Sequence, residues 1–266
     1  NSVGNYIYNS RNIHVGFDIQ DSENVKYAYD CSDVRDCMDI FSVYEAEYSY
    51  DSYSASMWVY HILFTRDCWP SSELIYCDHC FGCKNCFGCI GLRKKEFCIF
   101  NKQYDKKTYF QQVARILDFM QETGEWGEFF PIKTSPFAYN ETVAHECFPL
   151  QKSEAESHGY RWYEWDSTNT QVTWLTKIPE SITDTPDSIC NETLLCQKTG
   201  KPFKIQRQEL AFYRAMKLPV PRNHPDVRHK QRIMLRNPRK LWERNCDKCG
   251  VEIQTTYAPD RRQNVY

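Results

Sequence analysis

The sequence predicts a mainly β N-terminal β-solenoid with a cysteine-rich core, followed by an α+β middle segment and small zinc-ribbon-like C-terminal modules. Three observations predict it. Every third residue from Ile7 to Leu92 is small or apolar. The turn Cys246-Asp-Lys-Cys249-Gly250 has zinc-knuckle spacing, and Cys196-Gln-Lys-Thr-Gly200 has the same outline with Thr199 in place of the second cysteine. The charge is split: residues 201–266 hold 16 Lys+Arg against 6 Asp+Glu, whereas the first 200 hold 17 against 29.

The solenoid is expected over residues 1–100. One register runs from Ile7, Ser10, Ile13, Gly16 and Ile19 to Ser52 and Ala55, slips by one residue, and continues from Ser56 through Cys68 and Leu74 to Leu92. None of these sites is charged, although 26% of the chain is. A period of three matches neither an α-helix (about 3.6) nor a half-buried strand (about 2). It matches a solenoid with very short sides, each sending one side chain inward before the chain turns a corner. Asn, Asp and Gly tolerate tight corners. They stand just before the inward site at Asn9, Asn12, Asp18, Asp21, Asn24, Asp30, Asp33, Asp36, Asp39, Asn85 and Gly88. Tyr27, Tyr29, Tyr44, Tyr48, Tyr50, Tyr53, Phe81 and Phe87 take other positions, where rings can stack on the outer faces.

Cys77, Cys80, Cys83, Cys86 and Cys89 belong to this array, and three readings of them compete. Iron–sulfur runs usually have a longer fourth spacing and a following Pro, whereas these spacings are equal and Ile90 follows Cys89. Zinc favours two separated pairs, and disulfides favour small secreted chains. Buried free cysteine behaves as a small hydrophobe, and the array elsewhere holds Ser, Val and Ile at equivalent sites. The core reading is favoured, metal or cluster binding comes second, and disulfides third.

Residues 101–189 read as a capping helix and a mixed α+β segment ending in a linker. Asp105 to Thr123 places Tyr109, Val113, Ile116, Leu117 and Met120 on one stripe, with Gly124 as the stop. Such a helix can cap an open solenoid end. Aromatic, Pro-punctuated loops follow at 126–131 and 135–139, then a short helix capped by Asn140 and another from a Ser153–Glu156 capping box to Gly159. Aromatics cluster at Tyr160, Trp162, Tyr163 and Trp165, and polar residues 166–189 read as the linker. His145, Glu146 and Cys147 are neighbours in sequence, but adjacency does not assemble a nucleophile with its base. No nucleotide-binding, hydrolase or metalloprotease motif occurs, so the expectation is a non-enzymatic protein.

Residues 190–231 read as a degenerate zinc-ribbon-like module, with Cys196, His224 and His229 as an incomplete site. Residues 232–266 read as a basic segment and an incomplete zinc ribbon. Cys246 and Cys249 are the better zinc ligands; a closed site needs two more, ordinarily from a second pair about 15–20 residues on, close to Tyr266. Arg222, Arg228, Arg232, Arg236, Arg239, Lys240 and Arg244 suit phosphate contacts, and Trp242 and Tyr257 suit base stacking. Positions 232, 236, 239 and 240 share a helical face that Pro238 cuts short. The same basic residues could instead pair with the protein's own acidic half.

Fourteen cysteines with two apparently accidental sequons (Asn140, Asn191) favour a reducing cytoplasm. No apolar run is long enough to span a membrane, no signal peptide is visible, and the absence of an initial Met suggests part of a longer chain.

Several stretches together resemble one uncharacterised zinc-ribbon-containing family common in ultra-small candidate-phyla bacteria. They are Cys86–Arg93, Phe100–Tyr104, Gly124–Pro131, Thr199–Phe203, Leu235–Lys240 and Thr255–Asp260. The stretch from Cys196 through Glu209–Tyr213 to Pro221–Pro225 is similar to small bacterial zinc-ribbon domains. The resemblance implies a final ribbon closed by a second cysteine pair and carries no activity. The expected function is binding of structured RNA or a ribonucleoprotein such as the ribosome through the basic region. The alternatives are an assembly scaffold using aromatic solenoid faces, and a cysteine-cluster metal or redox protein.

Overall fold

The computed structural model describes residues 2–54, 57–164, 174–175 and 178–266. The chain forms two compact units, residues 1–162 with 239–266, and residues 163–238.

In the first unit the chain winds into a parallel β-solenoid of about eight coils. Its strands are β1 (Val3–Tyr8), β2 (Arg11–Gln20), β3 (Glu23–Phe41), β4 (Tyr44–Glu47), β5 (Tyr50–Tyr53), β6 (Val59–Arg66), β7 (Ser71–Ile75), β8 (Lys84–Phe87) and β9 (Glu96–Ile99). Residues pair in parallel with those 12 positions on, as Ile13 with Val25 and Cys86 with Cys98. With a corner every third residue, each coil has four short sides. One step of 13 joins β4 and β5 to β6, pairing Ala46 with Val59 and Ser52 with Thr65. It absorbs the slip in the sequence register; Ala55 and Ser56, where the slip falls, lie outside the described residues.

The corners are left-handed. Every residue that the sequence marks as a corner, from Asn9 to Gly88, has positive φ. So do Val15, Tyr27 and Phe64, whose branched or bulky side chains disfavour that backbone; there the stacked coils impose the turn. At Gly16 a Cβ-bearing side chain is excluded for a different reason, because the Cγ2 of Ile13 and Cγ1 of Ile19 would lie 2.4 and 2.9 Å from any Cβ.

The inward side chains form columns down a narrow core. One reads Ile13, Val25, Cys37, Ser49, Ile62, Leu74, Cys86 and Cys98, all buried. Cys98 therefore continues an array that the sequence reading ended at Leu92; the intervening site is the exposed Lys95. Cysteine and serine serve this core because its backbone carbonyls point inward as well as along the sheet. The Cys77 thiol reaches Ile75 O (3.5 Å) and Cys86 O (3.4 Å), and the Cys80 thiol reaches Asp78 O (3.5 Å) and Cys89 O (3.3 Å). Ser71 does the same work with a hydroxyl: it donates to Cys80 O (3.2 Å) and accepts from Cys83 N (3.1 Å). Small donors thus add a second contact to carbonyls that already accept an N–H between coils, as Cys89 O does from Asp78 N (2.9 Å), without adding bulk.

Outside, Phe17 stacks on Tyr29 (5.4 Å) and Phe41 on Tyr53 (5.5 Å), one coil apart, and Arg11–Glu23 and Arg35–Glu47 pair likewise. β10 (Lys102–Gln103) folds back antiparallel on β9. Helix α1 (Lys106–Thr123) then packs Tyr109 and Val113 against Phe87 and Ile99 of the last coils. Asp105 caps α1 by accepting from Thr108 N, and Gly124 closes it with φ 74°. The next loop is tied down by Tyr76, whose hydroxyl donates to Glu128 O (3.0 Å) and accepts from Gly127 N (3.3 Å). Two expected caps are corrected. Asn140 lies inside a short 3-10 turn, and Thr142 precedes α2 (Val143–Cys147); Ser153 lies inside α3 (Lys152–Ser157), which Gln151 precedes. Near the other end of the solenoid, the hairpin of β14 (Trp242–Asn245) and β15 (Glu252–Thr255) packs beside β1.

The second unit is small. β11 (Trp174–Leu175) pairs in parallel with β12 (Thr193–Leu195), which pairs antiparallel with β13 (Pro202–Phe203). With α4 (Arg207–Ala215) and α5 (Pro225–Ile233) they enclose Ile189, Leu194, Phe203, Ile205, Leu210 and Val220. Ile178 and Ile182 pack on this core, so the later part of the expected 166–189 linker is folded. Trp165 and the earlier part of that linker fall largely outside the described residues. No helix among the described residues is long and apolar enough to cross a membrane.

Candidate functional site

The two knuckle turns are built alike. In the first, Gly200 N donates to Cys196 O (2.8 Å) and Cys196 N to Lys201 O (3.0 Å). In the second, Gly250 N donates to Cys246 O (2.8 Å) and Cys246 N to Val251 O (2.8 Å). Glycine closes each at positive φ, 67° and 75°. A later segment then approaches each turn by the same bond: Gln197 N donates to Arg222 O (3.0 Å), and Asp247 N to Val265 O (2.8 Å). Turns of this shape also bring other backbone N–H groups, those of Lys248 and Cys249 in the second knuckle, to the cysteine sulfur, as a thiolate needs before a cation arrives.

The electrostatics agree with that reading. The Cys246 thiol is lowered by the N–H groups of Cys249 and Lys248 and by the Cys249 side chain. Burial pushes the Cys196 thiol up. The Thr199 hydroxyl and the N–H groups of His224, Thr199 and Lys198 outweigh burial and bring it to about 7. The core thiols are split: contacts with Cys68, Cys77 and Cys86 lower Cys80 and Cys89, whereas burial pushes Cys31 up to about 12 and Cys37 up to about 11. Contact with Cys80 or Cys89, together with burial, also raises Cys68, Cys77 and Cys86.

The structure places the expected ligands unevenly. Cys246 is buried and Cys249 exposed on one turn. Cys196 lies 3.6 Å from Asn223 Oδ1, beside the segment carrying His224. His224 Nδ1 accepts from Asp226 N (3.1 Å), so that ring caps its own helix, and burial lowers its pKa. His229 sits further along α5 and is exposed. Among the described residues, no group of three or more His, Cys, Asp or Glu is arranged to hold a metal ion. Cys77, Cys80, Cys83, Cys86 and Cys89 all point into the solenoid core, with exposures of 0–2%.

The basic residues are divided between the units. Arg222, Arg228, Arg232 and Arg236 belong to the second, and Arg239, Lys240, Trp242, Arg244 and Tyr257 to the first. Arg222, Arg232 and Arg236 are exposed; Arg222 approaches Glu180 (3.9 Å), and Arg228 approaches Glu209 (3.7 Å). Helix α5 stops at Ile233, so 232, 236, 239 and 240 do not share one helical face. Lys240 lies over the Trp242 ring (5.5 Å), and Arg244 donates to Gln263 O (3.3 Å). Arg239 is held inward. Its guanidinium bonds Asp18 (3.2 Å) and Asp30 (2.7 Å), which stack one coil apart, and lies over Tyr29 at 5.4 Å. The column of aspartates twelve residues apart is the signal that would have found this clamp from sequence.

The chain matches no known protein-family model, and no curated protein matches it.

Proposed function

We propose that the protein is a non-enzymatic zinc-ribbon protein that binds structured RNA, free or in a ribonucleoprotein, through its basic C-terminal region. The observation that carries this reading is the stretch around α5, where Arg222, Lys230, Arg232 and Arg236 all face solvent. Exposed basic groups on and beside α5 suit a phosphate backbone, and such binding releases counterions and weakens with salt. Zinc would be held by Cys246 and Cys249, whose turn already supplies the N–H groups that stabilise thiolates, with two further ligands closing the site. The test is fluorescence anisotropy of the full chain with a labelled RNA hairpin across a salt series. A double charge reversal, Arg232→Glu with Arg236→Glu, is expected to weaken binding at least about tenfold and to flatten the salt dependence. Absent or salt-insensitive binding refutes the reading.

Arg239 favours a second reading, a scaffold whose basic segment pairs with its own acidic solenoid. Under that reading the exposed rings of Tyr8, Tyr44 and Trp58 contact a protein partner, and the chain purifies without nucleic acid.

A further inference from the structure

We propose that a groove on the solenoid's aromatic face binds a small organic cation of the quaternary-ammonium class. The groove has a volume of about 660 Å³ and lies within the first unit, in the size range of small-molecule sites. Its floor is Tyr29, Phe41 and Tyr53 of the ring column, and Phe137 and Phe148 face them from the segment around α2. Tyr53, Phe137 and Phe148 are 45, 60 and 48% exposed, so their rings are open to an occupant.

The column shows where an occupant fits. Phe17–Tyr29 and Phe41–Tyr53 are stacked within 5° of parallel. The Arg239 guanidinium also lies over the Tyr29 ring, 5.4 Å from its centroid. A cation therefore already sits on a ring of this column at the groove's edge, as the attraction of aromatic faces for cations predicts.

Charge decides between a cationic, neutral and anionic ligand. Two guanidiniums border the groove, and both are engaged. Arg66 is bidentate to Asp78 (2.9 and 2.6 Å). Arg239 is shared by Asp18 and Asp30 (3.2 and 2.7 Å). The wall carboxylates have no such partner. Asp39 has no cation within ion-pairing distance among the described residues, and burial raises its carboxyl. Among the described residues, Glu141 accepts only the Ala138 N–H (2.9 Å). Asp51, the equivalent corner one coil on, adds further negative charge beside Asp39. An aromatic box with uncompensated carboxylates favours a weakly hydrated cation that makes no directional hydrogen bonds.

Isothermal titration of the full chain with choline and with 3,3-dimethyl-1-butanol, its uncharged isostere, tests this. Choline is expected to bind, with the isostere at least about tenfold weaker. Asp39→Asn should weaken choline about tenfold; Asn tolerates the positive φ at this corner, so the fold is kept. Tyr53→Leu, which keeps apolar bulk and removes the ring, should weaken it about fivefold. A thermal melt confirms that each variant is folded. Equal binding of the two compounds, no binding of choline, or unchanged affinity in folded Asp39→Asn overturns the proposal. Binding confined to a trimethyllysine peptide, with free choline inert, overturns the small-molecule assignment. RNA binding tests the α5 reading separately, and neither result determines the other.

Discussion

Replacing Cys80 with alanine removes one buried sulfur from the tightest part of the solenoid. The side chain is 0% exposed, and its thiol lies 3.3 Å from Cys89 O and 3.5 Å from Asp78 O. Losing a buried group of about methylene size costs about 0.8 kcal/mol in transfer alone. The cavity adds to that, because a coil held by parallel pairing above and below cannot collapse onto the space. Single-group core deletions of this kind cost about 0.5–1.5 kcal/mol, and the lost thiol contacts to two carbonyls add a few tenths. The expected loss for Cys80→Ala is therefore about 1–2 kcal/mol. Cys80→Ser should cost less than Cys80→Ala, because a hydroxyl restores the donor, as Ser71 does in the adjacent column. Urea denaturation followed by the far-UV strand signal reads these losses as shifts in midpoint at constant slope, alongside zinc and iron analysis of each variant. A neutral Cys80→Ala would refute the packing argument, and release of bound metal by either substitution would show that Cys77–Cys89 form a metal site.

Three other outcomes are expected. Arg239→Ala should destabilise the solenoid by about 2 kcal/mol, because it strands Asp18 and Asp30 beside each other, and leave RNA affinity unchanged; Arg232→Glu should do the reverse in the same two assays. Asp51 has its carboxyl pushed up to about 6 by burial, Asp39 and Glu128. The folded state then binds the proton more tightly than the unfolded one, so stability falls as pH rises from about 4 to 6. Asp51→Asn should abolish that slope and, after allowance for solvent screening, gain about 1 kcal/mol at neutral pH in urea titrations. Cys246→Ser with Cys249→Ser should abolish zinc uptake measured by a chromogenic chelator, whereas Cys83→Ala should not alter it.

The solenoid was legible because its constraint is local. Every third residue must fit a narrow interior, and the residue before it turns left-handed at nearly every site, Pro70 before Ser71 being an exception, so uncharged sites and Asn or Asp corners mark the array without knowledge of the stacking. The coil length was less apparent, since it is written between coils and not along them. Phe17, Tyr29, Phe41 and Tyr53 repeat at 12 residues, as do Asn12, Asn24 and Asp36, whose side chains bond in series at 3.0 and 2.9 Å. Such columns have meaning only once the coils are stacked. Cys98 escaped the array because Lys95 interrupts it with a charge, at a coil whose inward site opens to solvent.

The candidate sites divide along the same line. The knuckles were visible because four or five consecutive residues define the turn. The fate of Arg239 was not, because its partners are more than 200 residues away in sequence, 221 to Asp18 and 209 to Asp30. A net charge of +10 over residues 201–266 treats every arginine as equally available, yet the fold spends one on an acidic column and leaves Arg232 in water. Nucleic-acid affinity follows the cations that face solvent more than the total charge, so the exposed residues around α5 and not the whole basic tail should set the salt dependence.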